Sequence, residues 1–120
     1  MENTLCLLLI SFSFNCIKCQ SMESVESTVQ KKPGDTLTLS CRGSGFSFDC
    51  CSMHWIRHQV GKPLVWMGRV HPSGGNHDYS KSFEGRIEIT RDNSNSMAHL
   101  KLSGLTAEDS AMYYCAKQAQ

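Results

Sequence analysis

Between Thr36 and Cys41 apolar and polar residues alternate without interruption, with Leu37, Leu39 and Cys41 on one side and Thr36, Thr38 and Ser40 on the other. Successive side chains of an extended chain point to opposite faces, so this period of two predicts a strand with one face buried. The same alternation returns downstream. It turns Trp55 inward and Ile56 outward, then Val65 and Met67 inward and Leu64 and Trp66 outward. Further on it buries Ile87 with Ile89, and Ala98 with Leu100 and Leu102. Tyr113 and Cys115 share an inward phase that leaves Met112 and Tyr114 outside, and Leu105 closes one end of the core. Ser21 to Val29 is mixed and predicts a first edge strand, and Asp78-Tyr79 a short one. Turn-forming clusters punctuate these runs: Lys31-Lys32-Pro33-Gly34, Gly43-Ser44-Gly45, Val60-Gly61-Lys62-Pro63, Pro72-Ser73-Gly74-Gly75-Asn76 and Asp92-Asn93-Ser94-Asn95-Ser96. The only helical signal is a turn at Thr106-Ala107-Glu108-Asp109. The pattern is all-β.

Three segments and four single residues narrow the class. Gly34-Asp35-Thr36-Leu37-Thr38-Leu39-Ser40-Cys41, Met53-His54-Trp55-Ile56-Arg57 and Gly85-Arg86-Ile87-Glu88-Ile89-Thr90-Arg91-Asp92-Asn93-Ser94 occur in that order, with Cys41, Trp55, Tyr113 and Cys115 at fixed intervals. Together they resemble the three frameworks of an antibody heavy chain variable domain preceded by its leader, and the resemblance covers essentially the whole chain. It implies a V-type immunoglobulin fold, a two-sheet Greek-key sandwich. It further implies a Cys41–Cys115 disulfide between the sheets, Trp55 packed against it with Leu39 and Leu100, Tyr113 as a tyrosine corner, and a structural salt bridge between Arg86 and Asp109. After Cys115 come only Ala116-Lys117-Gln118-Ala119-Gln120, without the Trp-Gly-x-Gly segment of a final G strand. In this the sequence resembles a germline V segment whose last strand a joining segment would supply, and the isolated fragment is expected to be poorly soluble.

The N-terminus adds a compartment. Leu5-Cys6-Leu7-Leu8-Leu9-Ile10 and the Ser11-Phe12-Ser13-Phe14 that follows form an apolar run too short to span a bilayer and suited to a signal-peptide core. Residues 1–19 are therefore read as a leader, with cleavage after Cys19 and a V-type domain over residues 20–120. This predicts an oxidising, secreted or cell-surface destination, in which a disulfide can persist. No later segment is long and apolar enough to cross a membrane. Of seven cysteines, Cys6, Cys16 and Cys19 fall in the leader and Cys41 and Cys115 in the framework. The adjacent Cys50 and Cys51 depart from the family pattern; a vicinal disulfide, unoxidised thiols, or bonds to cysteines of a third loop are all open to them.

The outward phases converge. Ile56, Leu64, Trp66 and Tyr114 would lie on one sheet face, and large apolar side chains gathered on an exposed face mark a protein interface. In the family this face pairs with a light-chain variable domain. His58 stands where a glutamine commonly bridges to that partner, and Pro63-Leu64-Val65-Trp66 replaces the more familiar Gly-Leu-Glu-Trp. By resemblance the first recognition loop is Gly45 to Ser52, with Phe46, Ser47, Phe48, Asp49, Cys50, Cys51 and Ser52, and the second is Val70 to His77, with His71, Pro72, Ser73, Gly74, Gly75, Asn76 and His77. Such loops bind antigen because the framework fixes their ends and leaves their sequences variable. The family function is antigen binding in an antibody or B-cell receptor, with light chain and heavy chain constant domains as partners; the alternative is a non-rearranging V-type receptor or adhesion domain.

Charge and motif content exclude other classes. A net charge of +1 gives no electrostatic case for nucleic acid or an acidic membrane surface. No motif pairs a nucleophile with a base, no glycine-rich phosphate loop follows a strand, and no convergent zinc ligand set occurs; the Cys-x-x-Cys spacing of Cys16 and Cys19 falls within the expected leader, and beyond residue 19 no such redox motif is found. The reading is a binding domain without cofactor, metal or enzymatic activity.

Overall fold

The computed structural model describes residues 21–118, so the leader expected over residues 1–19, its three cysteines and the final two residues lie outside them. Among the described residues eight strands form two four-stranded antiparallel sheets: β1 (Ser21–Ser24), β2 (Leu37–Ser44), β3 (Met53–His58), β4 (Val65–Val70), β5 (His77–Tyr79), β6 (Ile87–Asp92), β7 (Met97–Leu102) and β8 (Met112–Lys117). One sheet runs β1-β2-β7-β6 and the other β5-β4-β3-β8. Each sheet buries one face against the other, which is why the alternating runs settle as strands.

The inward residues meet as read from the pattern. Leu37, Cys41, Trp55, Met67, Ile87, Ile89, Ala98, Leu100, Leu102 and Leu105 are buried, while Leu39, Val65, Tyr113 and Cys115 are partly buried and pack against them. Cys41 and Cys115 are bonded across the sheets. Phe83, which no alternating run marked, is buried too.

Two features differ from the sequence reading. The first strand ends at Ser24, well before Val29, because beyond that point the chain turns to solvent: Val25 and Val29 are exposed. Val25 N–H still donates to the Ser40 carbonyl at 2.9 Å, but Ser40 N–H is then taken by the Glu26 carboxylate at 2.8 Å, a side chain in place of the next ladder bond. Second, Trp55 lies opposite Gly68 and Ile56 opposite Trp66, so Met67 is an extra residue, a β-bulge. The bulge re-phases β4. Trp66 stays outward, Met67 and Gly68 are both buried, and Val70 becomes inward with Arg69 outside. A Cβ on Gly68 would lie 2.7 Å from the Asp78 carbonyl oxygen, so only glycine fits there.

Candidate functional site

The outer face of β3, β4 and β8 is built around Ile56, which is flanked by Trp66 on one side and Tyr114 on the other. Leu64, just before β4, is 66% exposed, Met112 59%, Tyr114 44% and Trp66 40%. Toward the loops this apolar ridge gives way to a polar chain. Trp66 Nε1 donates to His54 Nδ1 at 3.0 Å, and the other ring nitrogen of His54 lies 3.0 Å from the Gln118 side-chain oxygen. That bond requires His54 Nδ1 to be an acceptor, hence the tautomer protonated on Nε2. His58 sits at the far end of β3 opposite Met112.

The two segments expected from the sequence to be recognition loops lie at the same end of the sandwich, where β3 begins and β4 and β8 end. In the first, Ser47 and Asp49 are exposed, Phe46 and Cys50 half-buried, and Phe48, Cys51 and Ser52 buried. Phe48 belongs to the core and stacks on Phe46 with ring centroids 6.0 Å apart. Phe48, Cys51 and Ser52 therefore shape the loop from beneath and are not presented on its surface. Of the states open to Cys50 and Cys51, the structure shows the bond between the two. In the second segment Ser73, Gly74, Gly75, Asn76 and His77 are exposed and His71 and Pro72 half-buried, and His77 is the first residue of β5. The His77 ring stacks on Tyr79 at 4.3 Å. His71 Nε2 lies 3.1 Å from an Asp78 carboxylate oxygen that Arg69 Nε also meets at 2.7 Å. Hydrogen bonds from Arg69 and then His71 hold the Asp78 carboxyl below its ordinary range.

Arg91 joins the segments. Its Nη2 donates to the Phe48 carbonyl at 2.7 Å and its Nη1 to the Cys51 and His71 carbonyls at 2.8 and 3.2 Å. Its Nε donates to the Asn93 side chain at 2.7 Å, and Asn93 in turn donates to the Pro72 carbonyl at 2.8 Å. The guanidinium also lies 4.9 Å from the Phe48 ring centroid. Burial lowers its pKa from the ordinary arginine value. The alternating pattern gave no hint of this. A long cation in a loop-proximal strand looks solvated in sequence and becomes a five-donor clamp only when two loops present carbonyls to it.

The family model for the immunoglobulin V-set domain matches residues 24–120. The chain belongs to the immunoglobulin V-set family. V-set domains are typically extracellular, generally non-enzymatic, and act through contacts with other proteins. Among the described residues no helix is long and apolar enough to cross a membrane.

At the opposite end of this V-set domain from the loops, Asp109 is the centre of a buried charge cluster. Arg86 meets it bidentately, Nη2 to Oδ1 at 2.8 Å and Nη1 to Oδ2 at 3.1 Å. A second cation, Arg57 Nη1, reaches Oδ1 at 2.9 Å, and Thr106 N–H donates to Oδ2 at 3.0 Å. The hydrogen bonds from Arg86, then those from Thr106 and Arg57, drive the carboxyl far below the ordinary range against the opposing effect of burial. The Arg57 guanidinium lies 4.7 Å from the Phe83 ring centroid. Arg57 was missed as a member, although its phase carried the signal: it shares the inward side of β3 with Trp55, and a cation there needs a partner.

For the loop clamp, Arg91→Ala is expected to cost about 2 to 3 kcal/mol, because it strands buried Phe48 and Cys51 carbonyls without donors. Chemical denaturation measures the loss. Amide hydrogen exchange should rise over residues 46–52 and 71–76 while β2 and β7 stay protected; a uniform rise across the domain would contradict the loop-specific role.

Proposed function

We propose that this V-set chain is the variable segment of an immunoglobulin heavy chain, binding antigen through the two loop segments and pairing with a light-chain variable domain through its β3-β4-β8 face. The observation that carries the reading is that ridge: Leu64, Trp66 and Tyr114 exposed around Ile56 on one face of the domain. Anchors of this kind, aromatic and central, contribute most of the binding energy at protein interfaces. The leader over residues 1–19, the V-type domain over residues 20–120, and attachment to heavy chain constant domains belong to the same proposal, as does delivery to the secreted or cell-surface pool. The loops supply adaptable polar contacts in Ser47, Asp49, Ser73, Asn76 and His77, which are exposed.

The decisive experiment is co-expression with a light-chain variable domain and measurement of the heterodimer dissociation constant. Trp66→Ala is expected to weaken pairing by about 2 kcal/mol, roughly 30-fold, with Leu64→Ala contributing a smaller loss. Unchanged affinity in both variants would remove the face from the pairing role. Transcripts that begin with this leader separate the alternative, a non-rearranging V-type receptor or adhesion domain. Many different continuations after Cys115 support the heavy chain, and one invariant continuation the fixed receptor.

A further inference from the structure

Two disulfides in this domain have opposite characters. Cys41–Cys115 closes a segment of 74 residues, and its Cys41 end is fully buried. Cys50–Cys51 joins neighbours in sequence. A crosslink removes conformational freedom from the unfolded chain in proportion to the logarithm of the loop it closes, so a bond between adjacent residues adds almost nothing to global stability. Its place in the loop therefore calls for a chemical rather than an entropic account.

The surroundings of the pair are asymmetric. Cys50 is half-buried at the rim of the first recognition segment, whereas Cys51 is only 4% exposed. The backbone on both sides is held without the bond: Cys50 N–H donates to the Ser47 carbonyl at 3.1 Å, and Arg91 grips the Phe48 and Cys51 carbonyls at 2.7 and 2.8 Å. The Arg91 guanidinium thus holds the backbone of the buried half-cystine through its carbonyl. Thiol exchange requires access to one sulfur while the other departs as the leaving group, and the difference in exposure makes Cys50 the accessible one.

We propose that Cys50–Cys51 is an exchange site for an external thiol, with Cys50 as the attacked sulfur and Cys51 as the leaving group. The incoming thiolate forms a bond to Cys50 Sγ, the Cys50–Cys51 bond breaks, and its electron pair leaves on Cys51 Sγ, which takes a proton from solvent. A second thiolate attacks the adduct sulfur, releases Cys50 and carries away the oxidised small disulfide. Two external thiols are oxidised and one protein disulfide is reduced. The attacker belongs to the class of accessible low-pKa thiols, either a small molecule or a cysteine of a bound protein. Because Ser47 and Asp49 of the same segment are exposed, the adduct would stand on the loop surface and alter what that loop can bind.

The test uses the intact protein isolated without reductant and reduced glutathione as the probe, with acid quenching, maleimide capture and peptide mapping by mass spectrometry. Glutathione on Cys50 with maleimide on Cys51 is expected to appear about 100-fold faster than any modification of Cys41 or Cys115, since a surface loop opens at far lower free energy than the core. Near-ultraviolet circular dichroism should remain native throughout. Maleimide on both Cys50 and Cys51 before glutathione is added would overturn the proposal, as would an adduct on Cys51 or loss of both disulfides at one common rate. A covalent partner band on a non-reducing gel that disappears in Cys50→Ser assigns the attacker to a protein cysteine; glutathione already present on Cys50 in the isolated protein assigns it to a small thiol.

Discussion

Asp109→Asn should destabilise the domain by about 3 to 5 kcal/mol, the largest loss expected from any single substitution considered for this protein. The side chain keeps its shape and loses its charge, so Arg57 and Arg86 are left together at 14% and 30% side-chain exposure without a counterion. Removing one partner from a buried ionic cluster costs more than the cluster contributes net, because the remaining charges stay desolvated. The pH dependence follows from the same geometry. The folded Asp109 carboxyl titrates well below an unfolded aspartate, whose pKa is about 3.9. A depressed folded value means stability that is fully present above the unfolded pKa and lost progressively as the pH falls below it, toward the folded value. Acid unfolding followed by tryptophan fluorescence should therefore show a steep loss below about pH 4 in the natural protein. In Asp109→Asn that component should be missing, the variant being destabilised already at neutral pH. Retention of the natural acid transition in the variant would show that other carboxylates control it. An Arg57→Met, Asp109→Asn pair measured as a double-mutant cycle would report the coupling of the second cation, which should fall in the range of about 0.5 to 3 kcal/mol for contacting groups.

Replacing both Cys41 and Cys115 by alanine should remove about 4 to 5 kcal/mol, the chain-entropy value for a closed segment of 74 residues. A small domain has only about 5 to 15 kcal/mol in total, so the variant is expected to sit at the edge of folding. The measurable outcome is a denaturant midpoint moved close to zero, with weakened near-ultraviolet signal from Trp55, which is buried in the same core. Serine at Cys50 and Cys51 provides the internal contrast. That pair should shift the midpoint little, because adjacent residues close no loop. A comparable loss from both double variants would refute the entropic account of the inter-sheet bond.

Much of this architecture is written in the period-two runs. Leu37 and Cys41, Ile87 and Ile89, and Ala98, Leu100 and Leu102 each alternate against polar neighbours, and one buried face fixes their phase because a slip of one residue would expose the whole set. The outward ridge of Ile56, Trp66 and Tyr114 was legible for the same reason, as the complement of that phase. Less legible were residues whose position depends on partners distant in sequence. Phe83 stands in a turn between β5 and β6, where no alternation marks it, and is buried only because Arg57 and the core close over it. Phe48, Cys51 and Ser52 lie in a segment whose composition reads as surface loop, yet the loop folds back onto the sandwich and Arg91 holds it there.

Sequence alone determined the all-β class, the inward and outward sides of most strands, the pairing of Arg86 with Asp109 and the two cysteines that span the core, since each of these is a local phase or a family motif carried in order. Tertiary structure decided the rest. The Met67 bulge, which turns Val70 in and Arg69 out, arises from how β4 must bend to stay paired with both β3 and β5. The early end of β1 follows from a missing ladder partner beyond Ser40, and the Arg91 clamp from carbonyls presented by two separate loops. These are satisfactions of backbone and charge across the fold, and no periodicity along a single chain encodes which distant group will supply them.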